Sequence, residues 1–258
     1  MSLPNPHRTP ETPAHLPDWT KPLSLRFQPP APAPNDPFPD AWTPPQASVA
    51  SRNLPRNFKG SFHAFIPDPV INRVVTGESG LEGGFYLLLR TDPRIAWIWD
   101  QPPPVEYVDE DGVVHEHTFD YLAVLHDGRR IAFAVKPAIK VASTGIERVL
   151  ELIRAQLDPN FATSVVLRTE AHITADRVHN ARMILDACQR RDEAHLARVL
   201  GLLEGVTGAV RIADLVEASG LEGHALPAIA CLIGDGLLTL ARPGRIGMDA
   251  SVIPVRAH

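Results

Sequence analysis

Two β-rich runs separated by an Asp-Gly pair constrain this chain more than any other feature. The run His117 to Leu125 reads HTFDYLAVL, the run Arg130 to Val135 reads RIAFAV, and His126-Asp127-Gly128-Arg129 lies between them. Asp-Gly between two such runs is a strong hairpin signal. Side chains alternate faces along a strand. Glu116, Thr118, Asp120 and Leu122 are therefore expected on one face of the first strand, and Ala132, Ala134 and Lys136 on one face of the second. The second strand must stop at Pro137, which has no N–H to give to a ladder. The hairpin thus predicts Asp120 and Lys136 at neighbouring ends of paired strands.

Upstream, Ser79-Gly-Leu-Glu82 opens an apolar helical pattern that runs from Leu81 to about Arg90, with Phe85, Leu88 and Leu89 spaced to face a core. The tetrapeptide fits a capping box, with Ser79 as N-cap and Glu82 reaching back to its N–H. The alternative is that Glu82 is a metal or water ligand at a helix start, and one carboxylate cannot fully serve both. Lys136 also has two readings. The chain writes nearly all its basic positions as Arg, and Lys21, Lys59, Lys136 and Lys140 are its only lysines. A compact ammonium whose pKa can shift is wanted at Lys136, or the residue is a solvated strand end. Two carboxylates and a lysine gathered from adjacent elements can hold a divalent metal and activate a water, which is the chemistry of phosphodiester hydrolysis.

The order of these pieces resembles the TnsA family, the endonuclease subunits of heteromeric transposases. The matching residues are Ser79-Gly-Leu-Glu82, Asp92-Pro93, Gln101-Pro102, His117-Thr-Phe-Asp120-Tyr121 and Ala134-Val-Lys136, within roughly residues 70 to 140. The resemblance implies an α/β fold with a restriction-endonuclease-like PD-(D/E)xK core and a C-terminal helical winged-helix domain. It carries Glu82 over to the helix glutamate, Asp120 to the metal-binding aspartate and Lys136 to the catalytic lysine. Glu82, Asp120 and the Val135 carbonyl would hold Mg2+ or Mn2+. Phe119 stands where the superfamily often has Pro, and Ala134 stands where a Glu or Gln would help hold the metal. Waters and the scissile phosphate would then complete the octahedron, which Mg2+ tolerates because it usually keeps several waters. Glu116, on the predicted face of Asp120, is a candidate substitute.

The chain has 258 residues and a formal net charge of −5, so it does not carry the charge of a protein that grips DNA by electrostatics alone. Delivery to DNA by a partner fits better. Cys188 and Cys231 are the only cysteines, which argues for a reducing compartment without a disulfide framework. With no signal-peptide pattern and no membrane-length apolar run, a cytoplasmic protein is expected.

Residues 1–56 hold 15 of the 26 prolines and read as a disordered leader with Trp19, Phe38 and Trp42 as docking points. Residues 57–169 read as the nuclease domain. FKGSFHAFIPDP is expected to supply a first strand, with Lys59 and Arg73 as surface charges or phosphate contacts. IAWIW and VEYV follow as strands, then an acidic turn at 109–112. His115 and His117 form an H-x-H without further zinc ligands in view. A helix over 145–157 and a strand over 162–168 complete the unit. Residues 170–258 read as the helical winged-helix domain: Thr174 and Asp192 cap two helices, 210–220 and 224–236 form two more, and LLTLARPGRIG is a strand, turn and strand. Arg177, Asn180 and Arg182 read as a solvated helix face, or as one turned to nucleic acid or a partner. The second wing helix, with His224, Ala225, Ala228 and Ala230, offers little for reading bases.

The expected activity is a Mg-dependent endodeoxyribonuclease. By the resemblance it cuts at the 5′ side of transposon ends with a TnsB-like transposase and a TnsC-like ATPase. The alternative is a catalytically weakened nuclease-fold adaptor that recruits a transposase or regulator. A defence or repair nuclease of the same fold is a third reading.

Overall fold

The computed structural model describes residues 44–51, 64–68 and 71–255. Apart from 44–51, the proline-rich leader lies outside these residues, as do its three aromatic docking points and Lys59. The described piece of the leader is not a free tether. Gln46 bridges to Arg73, the Trp99 indole N–H donates to the Val49 carbonyl at 3.2 Å, and Ser51 N–H donates to the Gln101 carbonyl at 2.8 Å.

The protein is mixed α/β. A hairpin of β1 (Ala64–Asp68) and β2 (Arg73–Gly77) leads into α1 (Gly80–Arg90). Next come β3 (Ile95–Asp100) and a second hairpin, β4 (Val105–Val108) with β5 (Val114–His117). Then follow β6 (Tyr121–Leu125), β7 (Arg130–Val135), α2 (Ala138–Thr144), α3 (Ile146–Ala155) and β8 (Ser164–Arg168). The central sheet has four strands in the order β3-β6-β7-β8, antiparallel except for the parallel β7–β8 pair. The hairpin predicted at Asp127-Gly128 is β6–β7, and Gly128 takes a φ of +84° that few other residues tolerate.

Alternation along β6 and β7 sends side chains into two cores. Tyr121, Ala123, Phe133 and Val135 face α1 and pack with Phe85, Tyr86 and Leu89. Leu122, Ala132 and Ala134 face α3 and pack with Ile146, Leu150 and Ile153. The predicted strand over 117–125 is instead two strands of different sheets, broken at 118–120. The wholly buried Phe119 ring drops into the α3-side core, and Val135 N–H pairs with a side-chain oxygen of Asp120 where a ladder carbonyl would serve. β2 and the short α2 are additions to the expected elements.

A third core lies under the C-terminal elements: α4 (Ala175–Gln189), α5 (Glu193–Leu202), β9 (Val210–Arg211), α6 (Ile212–Ser219), α7 (Ala225–Gly234), β10 (Leu238–Leu240) and β11 (Ser251–Pro254). Thr174 and Asp192 cap α4 and α5 as expected, their side chains accepting backbone N–H bonds. The strand-turn-strand reading of LLTLARPGRIG needs correction. The partner of β10 is β11, ten residues beyond it, and β9 pairs with the other edge of β11. Asn180 reaches across to this segment: its amide donates to the Gly244 carbonyl and accepts from Ile246 N–H, each at 2.8 Å. The Cys188 and Cys231 thiols meet in the third core, both buried and free. No helix among the described residues is long and apolar enough to cross a membrane.

Candidate active site

Glu82 is placed by the start of α1. Ser79 takes an extended conformation and its hydroxyl oxygen accepts from Glu82 N–H at 3.1 Å. The Glu82 carboxylate closes the box differently from expectation. It accepts from Glu78 N–H at 2.6 Å and from the Ser79 hydroxyl at 2.9 Å, not from Ser79 N–H. The side chain is only 8% exposed, and Gly77 leaves room for it, since a Cβ there would stand 3.3 Å from that of Glu82. Burial raises the Glu82 pKa, the Glu78 N–H and Ser79 hydroxyl oppose that, the Glu78 carboxylate adds to it, and Lys136 lowers it.

Asp120 sits in the break before β6. Its N–H donates to the Phe133 carbonyl at 3.0 Å, and its carboxylate accepts from Val135 N–H at 2.6 Å. Burial and then the Glu82 carboxylate push its pKa up to about 7, against the Val135 N–H and Lys136, with Glu78 adding to the rise. Lys136 follows β7 directly, half-buried, and is fixed by its N–H donating to the Arg168 carbonyl at 3.0 Å. Glu82, Asp120, Val135 and Lys136, from a helix start, a strand start and a strand end, are thus brought together at one end of the sheet.

Two further residues join them. Glu78, just outside the helix, faces both acids electrostatically. Gln101 donates its side-chain amide to Glu78 at 3.1 Å and its N–H to the Asp120 carbonyl at 2.9 Å. Gln101 is 3% exposed and holds a φ of +42°, a left-handed conformation that is uncommon outside glycine. Its side-chain oxygen is buried without a hydrogen-bond partner among the described residues, a state that costs about 1–3 kcal/mol and calls for a ligand or water. In the sequence Gln101 stands before three prolines, one of the matched pieces of the resemblance but with no role at the site assigned to it. Glu78 is masked there by the stronger capping signal beside it.

Other candidates lie elsewhere. Glu116 is exposed on β5 opposite Glu106, in a different sheet from β6, so it does not replace the missing ligand. Extending the β6–β7 register by one pair sets Ala134 opposite Asp120, but its methyl is buried in the α3-side core. Arg73 is not a surface charge. It is 3% exposed, donates to the Ile98 carbonyl at 3.2 Å, pairs with Asp100 at 3.5 Å and lies 5.0 Å from the Trp97 ring centroid. His115 pairs with Asp109 at 2.6 Å.

Glu82 and Asp120 both feel the Lys136 ammonium, and the Gln101 amide oxygen beside Glu78 is buried without a hydrogen-bond partner among the described residues. Among the described residues no three His, Cys, Asp or Glu side chains converge to hold a metal by themselves. The set therefore suits an ion that takes one or two carboxylates and keeps its waters, which is the habit of Mg2+. No protein-family model matches the chain, and no curated protein matches it.

Proposed function

We propose that the chain is a metal-dependent DNA endonuclease subunit of a TnsA-like transposition system. It hydrolyses phosphodiester bonds at the 5′ side of transposon ends together with a TnsB-like transposase and a TnsC-like ATPase. The observation that carries this reading is the meeting of Glu82, Asp120 and Lys136, with Asp120 pushed up to about 7 by burial and by Glu82. A carboxyl group raised in this way is one that a cation would relieve. The sheet order β3-β6-β7-β8, with helices on both faces, supports a restriction-endonuclease-like core. The α6–α7 pair with its three short strands supports a winged helix.

Mg2+ or Mn2+, held by Asp120, Glu82 and the Val135 carbonyl, would supply a Lewis acid and a water of lowered pKa. The Gln101 side-chain oxygen would take the role that Ala134 cannot. Lys136 would hold its ammonium against the negative charge growing on the phosphate. Glu82 would release one of its two capping bonds to reach the ion or its water. The winged helix reads as a protein contact, because the middle of α7 is buried in its own core. A cytoplasmic location belongs to the same reading.

The adaptor reading is favoured by one observation. Ala134 is 1% exposed among apolar side chains, so the usual fourth ligand is both missing and built over. A cleavage assay separates the two. With transposon-end DNA, the transposase, the ATPase and Mg2+, the wild-type chain should give 5′-side breaks. Asp120→Ala and Lys136→Ala should each lose about a hundredfold or more. Breaks that persist in both variants would remove the assignment, and an assembled but uncut complex would leave the adaptor.

A further inference from the structure

A cavity of about 310 Å3 lies between α1, the sheet and the start of α4, and it shares no residue with the acidic site. Its floor is apolar, from Phe85, Leu89, Ala123, Phe133 and Val166. Its rim is cationic: Arg94, Arg129, Arg168 and Arg177, with His172. The only acid in the lining, Asp92, is already engaged, accepting from Arg94 at 2.9 and 2.6 Å. Arg129 is likewise paired, with Asp127 at 2.8 Å.

Arg168 and Arg177 differ from the other two, since neither forms a salt bridge among the described residues, although Arg177 lies near enough to Asp92 to help hold its carboxyl low. Arg168 lays its guanidinium over the Phe133 ring, 5.6 Å from the centroid, and donates from it to the Leu167 carbonyl at 3.4 Å. Arg177 donates to the His172 carbonyl. Burial and the neighbouring Arg177 lower the Arg168 pKa, so the two cations work against each other. Two guanidiniums share one concave site over an apolar floor, each donating to a backbone carbonyl and neither forming a salt bridge among the described residues. Guanidinium forks match the oxygens of a phosphate or a carboxylate, and here one fork is half-buried at Arg168 and the other exposed at Arg177. The volume falls at the lower end of small-molecule sites, about 300–1,000 Å3. That leaves room for a flat ring system and not for a folded partner.

We propose that this cavity binds a small organic anion, with its phosphate or carboxylate between Arg168 and Arg177 and a flat apolar body on Phe133 and Val166. The inference is independent of the nuclease reading. It commits to an amphipathic small molecule, because an inorganic anion or a bare DNA backbone would leave the apolar floor unused.

Naphthyl phosphate is a suitable probe, titrated calorimetrically into the full chain, with naphthol and inorganic phosphate as its separated halves. Saturable one-site binding is expected. Each half should bind at least about tenfold more weakly, and Arg168→Gln and Arg177→Gln should each weaken naphthyl phosphate by about tenfold to a hundredfold. Arg168→Lys keeps the charge and loses the fork, and should fall between. If a variant fails to fold, nuclear Overhauser contacts in the wild type decide the matter, and naphthyl protons should meet the Val166 methyls and the Phe133 ring. No binding, binding indifferent to both arginines, contacts elsewhere, or equal competition by duplex DNA would each overturn the proposal.

Discussion

Asp120 is a carboxylate that folding moves into competition with two others. In the unfolded chain it titrates near its ordinary 3.8, and in the folded protein near 7. Folding takes up a proton between those values. The stability carried by the protonated acid is complete below about pH 3.8 and is lost as the pH rises through about 7. Metal-free protein should therefore lose thermal stability from about pH 5 to about pH 8, and Asp120→Asn should flatten that slope. Mn2+ should stabilise the wild type more at the higher pH, where the carboxylate is ready to bind it. Scanning calorimetry at the two pH values checks both statements, and an unchanged slope in Asp120→Asn would remove Asp120 as the titrating group. The residue scale was also where the sequence was least legible. In the sequence Arg73 reads as a surface charge or phosphate contact and Gln101 as a matched residue without a role, until β2, β3 and the 44–51 segment close over them. Their roles come from contacts distant in the chain, between Arg73 and Ile98 and between Gln101 and Glu78, Asp120 and Ser51.

The elements set the site by how closely they approach. At Gly84, in the middle of α1, an added Cβ would stand 3.0 Å from a Val178 methyl carbon and 3.3 Å from one of Ile173. This glycine lets α4 press against the helix that carries Glu82. Gly84→Val should destabilise the protein by about 1–3 kcal/mol through overpacking, which a chemical denaturation curve would read as a lowered midpoint. A midpoint at or above that of the wild type would show that α1 and α4 can separate without cost. Local signals did define most elements: the Asp-Gly turn, the Ser79, Thr174 and Asp192 caps, and the left-handed Gly220 that ends α6 at a φ of +66°. Where they failed, a non-local contact had won. Phe119 entering the α3-side core splits the predicted strand 117–125, and the return strand of the C-terminal sheet lies beyond any local turn signal.

At the scale of the molecule, two cores sandwich one sheet and a third core lies under the C-terminal helices, with α4 packed on both α1 and α7. This arrangement holds an acidic cluster at one end of the sheet in a chain whose net charge is −5. Under the proposed function, such a chain would need a cation to bring its acids near a phosphate, and a partner to bring it to DNA. The meeting of Glu82, Asp120 and Lys136 was legible from motif order. The two additional members, Glu78 and Gln101, required the fold. The most direct test is isothermal titration of Mg2+ or Mn2+ into the wild type and Asp120→Ala, each with a short duplex present. The account predicts binding to the wild type that disappears in the variant. Flat traces for both proteins, or equal binding to both, would contradict a metal centre at Asp120.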